Sequence, residues 1–250
     1  MSAELEAVVF DVDGTLVDSE RDGHRVAFNL AFEEFGLPDR WDEDEYGRLL
    51  ATTGGRRRLH RWFSERGMPE AERDDLVPKL HHRKTELFVA MAGDGRVPAR
   101  PGVERLLDDL AAAGVPVAVA TTGSRAWVEP LLDRLFGLDR FRAVVTGDQA
   151  EERKPEPDAY LVALDRLGVA ASRAVAVEDS DNGVRSARAA GLPVVVVANG
   201  YTAGQPLEGA VLVMDGFGQP EEPARVLRGD PALAPDGLLT VSTLRRVASG

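Results

Sequence analysis

The chain reads as an α/β protein: a doubly wound, mostly parallel sheet with an α-helical segment inserted after the first strand. Three observations carry this reading. Short β-branched and alanine-rich runs recur at Ala7–Phe10, Val115–Ala120, Ala143–Thr146, Ala174–Val177 and Val194–Val197, mostly without the polar alternation of a strand with one wet face, as expected of buried parallel strands. Helical patterns lie between most of them, and alternating strand and helix builds a doubly wound sheet. One interval breaks the rhythm: about a hundred residues between the first two strands hold helical periodicity and many charges but no convincing strand.

In chain order, Ala7–Phe10 supplies the first strand. Residues 19–96 then form the inserted helical lobe, and residues 1–18 with 97–250 form the Rossmann-like core. The polar stretch Asp18–Gly23 and the glycine and proline cluster Gly93–Gly102 mark the two crossings. Val103–Ala113 is a helix with Leu106, Leu107 and Leu110 on one face, followed by strand Val115–Ala120, helix Val128–Leu135 and strand Ala143–Thr146. Pro157–Leu167 opens with proline in its first turn, and Asn182–Ala190, after strand Ala174–Val177, is closed by Gly191. Strand Val194–Val197 follows. Beyond Val213 the chain turns rich in proline, glycine and acidic residues, and Gly216–Gly250 reads as a surface addition without an assigned role.

Composition removes several classes of function. The 250 residues hold 42 acidic and 30 basic side chains, a formal charge of -12, the wrong sign for tracking nucleic-acid phosphates or an anionic membrane. There is no cysteine, so disulfides, zinc ribbons and thiol nucleophiles are excluded and any metal site must use oxygen or imidazole. Neither a signal-peptide pattern nor an apolar run long enough to span a bilayer is present. The expectation is a cytoplasmic, monomeric protein that binds neither nucleic acid nor membrane.

Chemistry gathers at the strand ends. The first strand runs into Asp11-Val12-Asp13-Gly14-Thr15, two carboxylates at the edge where open α/β sheets bind ligands. Val115–Ala120 leads into Thr121-Thr122-Gly123, a hydroxyl and a turn that can offer N–H groups to an anion. Lys154-Pro155 follows the next strand, and Glu178-Asp179-Ser180 follows the one after. Taken singly, each has an ordinary reading as a helix cap or a solvated charge. Together, in order, they aim a hydroxyl, an amine and four carboxylates at one edge. Like charges about 4 Å apart repel by about 4 kcal/mol at an effective dielectric near 20, so such a cluster calls for a cation. Mg²⁺, hard and oxygen-seeking, suits it. With the cation and Lys154 in place the site attracts a phosphate dianion beside Asp11, the constellation for phosphoryl transfer through an aspartyl phosphate.

In these motifs, matched in order over residues 5–215, the chain resembles the haloacid dehalogenase superfamily. The resemblance implies Asp11 as nucleophile and Asp13 as general acid and then base. It implies Thr121 and Lys154 as ligands of the transferring phosphoryl group, with Thr122 and Gly123 beside them. Mg²⁺ would sit on the Asp11 carboxylate, the Asp13 main-chain carbonyl and Asp179, with Glu178 adjacent. Carbon–halogen cleavage needs neither Asp13 nor the Glu178-Asp179 pair, so a dehalogenase is disfavoured. A phosphonate-cleaving relative would place a lysine early in the insert, where none occurs before Lys79.

The insert resembles the helical cap of the β-phosphoglucomutase-like branch and is most similar to the CbbY-like sugar-phosphate phosphatases, whose characterised substrate is xylulose 1,5-bisphosphate. The resemblance rests on Glu20 to Asn29, containing His24, and on Thr52-Thr53-Gly54-Gly55-Arg56-Arg57-Arg58. It implies Glu20, His24, Thr53, Gly54, Gly55, Arg56 and Arg58 as substrate-binding residues, and a turn followed by cations suits a second, non-reacting phosphate. The expected activity is a Mg²⁺-dependent phosphatase acting on a small phosphorylated sugar. A phosphomutase on the same core is the alternative, and a non-catalytic sugar-phosphate-binding regulator, which would be expected to have lost a charged motif residue, ranks below both.

Overall fold

The computed structural model describes residues 5–52 and 54–250. The chain divides into two compact units, Met1–Asp18 with Pro98–Gly250, and Ser19–Val97. Among the described residues no helix is long and apolar enough to cross a membrane.

The α/β unit is a seven-stranded sheet of β1 (Ala7–Phe10), β2 (Val117–Ala120), β3 (Phe141–Val145), β4 (Ala174–Glu178), β5 (Val194–Val197), β6 (Leu212–Met214) and β7 (Val226–Arg228), in the order β3-β2-β1-β4-β5-β6-β7. All neighbours are parallel except β6 and β7. Successive side chains of a strand point to opposite faces, and in β1, β2, β4, β5 and β6 both faces are buried. Ala7, Val9, Ala118, Ala120, Ala174 and Ala176 form one core with Ala159 and Ala163 of α7 (Asp158–Leu167) and Ala187 of α8 (Asp181–Ala189). Small residues on both partners let these helices lie close against the strands. The intervening Val8, Phe10, Val119, Val175, Val177 and Val195 are fully buried. On their face, α9 (Val241–Ser249) packs on β4 and β5 and against α5 (Val103–Ala112).

The C-terminal segment is thus structured, which its proline and glycine content concealed. Arg105 of α5 fastens it by donating to the carbonyls of Phe217, Gly218 and Leu239 at 3.0–3.2 Å. A cavity of about 380 Å³ lies there, lined in part by Pro101, Asp215, Phe217 and Arg225, and holds none of the acidic residues described below.

Among its described residues the second unit holds helices and no strand. It opens with a π-helical turn, Glu20–His24, where a polar crossing segment was expected, and continues as α1 (Arg25–Glu34), α2 (Glu43–Leu49), α3 (Gly55–Glu65) and α4 (Glu70–Gly93). Its core is aromatic: Trp41 meets Phe28 at 4.7 Å, Phe32 at 4.9 Å and Trp62 at 5.4 Å between ring centroids. Such contacts contribute about 0.5–1.5 kcal/mol each beyond area burial. Asn29 brackets the Trp41 backbone, accepting from its N–H and donating to its carbonyl at 2.8 Å each, and Asp42 caps α2 by accepting from the Glu45 N–H.

Candidate functional site

Strand register assembles the site. Phe10 pairs with Val119 on one side and Val177 on the other, so Asp11 stands level with Ala120 and Glu178, and Thr121 and Asp179 follow one residue beyond. The direction of winding changes on either side of β1, and the crevice at such a switch point is where open α/β sheets hold their ligands.

Asp11 is buried, and its main-chain N–H donates to the Val177 carbonyl. Lys154, reaching in from the loop before α7, donates to Asp11 Oδ1 and to Glu178 Oε1, each over 2.6 Å. Glu178 is fully buried: Oε1 also accepts from the Tyr160 hydroxyl over 2.7 Å, and Oε2 accepts from the Asp179 N–H over 3.1 Å. Two glycines make room for these acids. A Cβ on Gly14, whose φ is +84°, would lie 2.3 Å from Asp179 Oδ2, and one on Gly183 would lie 1.9 Å from the Glu178 carboxylate. Thr121, buried at the end of β2, donates its N–H to Val145 and accepts from the Gly123 N–H over 3.0 Å. The Thr122–Gly123 turn is pinned by Gly147, which donates to the Gly123 carbonyl over 2.8 Å.

Three buried carboxylates therefore face one ammonium, and burial together with this excess of negative charge raises the proton affinity of two of them. Asp11 is pushed up to about 7, chiefly by burial, with Glu178 and Asp13 adding to the rise and Lys154 opposing it. Burial, Glu178 and Asp11 push Asp179 well up, against Arg100 and Lys154. Burial alone would pull Lys154 down, but Asp11 and Glu178 outweigh it and hold the ammonium charged. Carboxylate oxygens of Asp11, Glu178 and Asp179 lie within 4.8 Å of one another. A hard divalent cation fits this all-oxygen, charge-deficient donor set. The Asp13 carboxylate stands outside that group but close enough to raise Asp11.

The sequence candidates of the helical unit fall into two places. Glu20 accepts from the Tyr46 hydroxyl, which in turn accepts from Arg58 Nη1 over 2.9 Å. Arg58 is buried and also donates to the Leu49 carbonyl, so its head is turned into the unit. His24 Nδ1 lies 2.9 Å from Lys84 Nζ, with its ring 3.8 Å from that of Phe88. Gly54, at φ +92°, caps α3, and a Cβ on Gly55 would stand 2.8 Å from His81 Nε2. Burial, with the nearby Lys84, Arg56, His24 and Arg58 adding to it, pushes His81 down to about 4. Thr53 lies outside the described residues.

Tyr160, Asn199, Lys84 and His81 did not emerge from the sequence. Lys84 left one trace, as one of only three lysines among 30 basic residues.

Residues 5–191 match the family described as haloacid dehalogenase-like hydrolase. The chain belongs to that family. Within the haloacid dehalogenase-like hydrolases it is similar to protein CbbY of Cupriavidus necator, 43% identical over 228 residues that cover 88% of each chain. It is 36% identical to a phosphoglycolate phosphatase of Caulobacter vibrioides over 84% of this chain and 86% of that one. A crystal structure of an aspartate-to-asparagine mutant of CbbY from Rhodobacter sphaeroides, in complex with xylulose 1,5-bisphosphate, superposes with a TM-score of 0.73 at 39% identity, covering 86% of this chain and 96% of that one. Family membership makes the chain a hydrolase, of CbbY-like type, and its phosphatase-named relatives agree with a phosphoric monoester hydrolase.

Proposed function

We propose that this chain is a Mg²⁺-dependent phosphatase of a small sugar bisphosphate, xylulose 1,5-bisphosphate or a close analogue, working through an aspartyl phosphate on Asp11. One observation carries the reading: Asp11, Glu178 and Asp179 converge around a single Lys154 at the switch point of the sheet. The CbbY complex with xylulose 1,5-bisphosphate supports the choice of sugar.

Asp11 attacks phosphorus, the bond from phosphorus to the sugar oxygen breaks, and Asp13 gives that oxygen its proton. Asp13 then takes a proton from water, which attacks the acyl phosphate; inorganic phosphate leaves and the Asp11 carboxylate is restored. Thr121 and Lys154 hold the transferring group. Asp11, Asp179 and Glu178 would hold Mg²⁺, which when bound offsets the acids' repulsion and stabilises charge on the phosphoryl oxygens. The helical unit acts as a cap, its cations around Arg56 and Lys84 binding the non-reacting phosphate and Glu20 a sugar hydroxyl.

The test is a time course of sugar mono- and bisphosphates with and without Mg²⁺, followed by phosphorus NMR. Mg²⁺-dependent inorganic phosphate concentrated on a pentulose bisphosphate is expected. Isomer exchange without phosphate release would make the enzyme a mutase, and binding without either would make it a non-catalytic regulator.

A further inference from the structure

The carbonyl of Gly14, in the turn directly after Asp13, is held by two side chains that the chemistry above does not use. Arg100 Nη1 donates to it over 2.5 Å and Asn199 Nδ2 over 3.3 Å, and the same Asn199 nitrogen donates to Asp179 Oδ2 over 2.8 Å. Arg100 also donates to Val197 over 2.6 Å and to Ala198 over 2.8 Å, carbonyls at the end of β5. Its main-chain N–H donates to Leu16, and its neighbour Ala99 bridges to Val17. One guanidinium thus fastens the turn after β1, the end of β5 and the chain entering α5. The planar fork of donors suits three carbonyls at once, which a lysine ammonium on its flexible stem does not. The turn leaves no room for a side chain, since a Cβ on Gly14 would lie 2.3 Å from Asp179 Oδ2, so a shift of the turn reaches the acid.

We propose that Arg100 is a positioning residue for the acidic cluster: by fixing the Gly14 carbonyl and the end of β5 it holds Asp179 in register with Asp11 and so sets the cluster's affinity for its divalent cation. The inference rests on the metal-dependent reading above and adds to it a residue that touches neither substrate nor metal.

The experiment is calorimetric titration of metal-free wild type, Arg100→Lys and Asn199→Ala with Mn²⁺ and with Mg²⁺, in the absence of substrate. Circular dichroism and thermal melts establish folding, and the Mg²⁺ dependence of phosphate release is measured alongside. Folded Arg100→Lys is expected to bind Mn²⁺ at least about tenfold more weakly, the usual consequence of losing a group that orients metal ligands. Its half-saturating Mg²⁺ should rise in parallel, while KM for the phosphate ester at saturating Mg²⁺ stays within about twofold of wild type. A merely structural role would lower the melting temperature and leave the metal affinity of the folded protein alone, and that result overturns the proposal. If Arg100→Lys does not fold, Asn199→Ala decides, with weaker metal binding supporting the proposal and wild-type affinity contradicting it. Wild type that binds Mn²⁺ yet releases no phosphate would defeat the phosphatase reading and leave the titration to judge Arg100.

Discussion

Lys154 and Asp11, 143 positions apart in sequence, meet over 2.6 Å. The pair works as part of a charge balance, because the same ammonium also serves Glu178. Removing it leaves three buried acids facing one another.

Lys154→Met is therefore expected to destabilise the metal-free protein by about 3–5 kcal/mol, the usual cost of breaking a buried ion pair from one side. Thermal melts measure the loss. Added Mg²⁺ should recover part of the melting temperature but not turnover, since the phosphoryl group has lost its cation.

Asp11 gives the metal-free protein a pH dependence of definite sign. Its carboxyl is raised from an ordinary 3.8 to about 7 in the folded state, so the folded chain keeps a proton that the unfolded chain releases. That stabilisation is complete below the unfolded value and is lost as pH rises through about 7. The melting temperature without metal should fall between about pH 4 and about pH 7, and the gain from Mg²⁺ should grow over the same range as the competing proton leaves. A Mg²⁺ gain that shrinks with rising pH would contradict this.

Gly183→Ala places a methyl 1.9 Å from the Glu178 carboxylate. Overpacking of this kind costs about 1–3 kcal/mol, and here it also displaces an acid of the cluster, so both stability and turnover should drop. Gly93→Ala is the control, since a Cβ there meets nothing within 4 Å, and it should match wild type in both assays.

In the helical unit, Arg56→Ala is expected to raise KM for a sugar bisphosphate about tenfold, equivalent to about 1.4 kcal/mol, with little change for a small monophosphate. Steady-state kinetics on the two substrates check it. Equal losses on both would remove the second-phosphate role.

The core of the fold and the edge carrying the acids were legible in the sequence because buried parallel strands write themselves as short apolar runs and Asp11, Thr121 and Glu178 stand immediately at their ends. What escaped had weaker local signals. Leu212–Met214 is three residues long, too short for any periodicity, and the outer strand Val226–Arg228 is largely exposed. Tyr160 sits at an apolar position of α7 within the core cluster, and only the packing of that helix on the sheet carries its hydroxyl to Glu178. Arg58 reads like its exposed neighbours Arg56 and Arg57, yet α3 turns it inward to Tyr46. Asn199 and Arg100 meet at the Gly14 carbonyl through tertiary contacts alone, which no spacing announces.

The most direct test of the central claim is acid-quenched single turnover of xylulose 1,5-bisphosphate with Mg²⁺, followed by mass spectrometry of the peptide containing Asp11, in wild type and in Asp11→Asn. The account predicts a transient phosphate on that peptide in wild type, and neither phosphopeptide nor inorganic phosphate in folded Asp11→Asn. Phosphate release by Asp11→Asn at the wild-type rate, or a phosphate trapped on another residue, would contradict it.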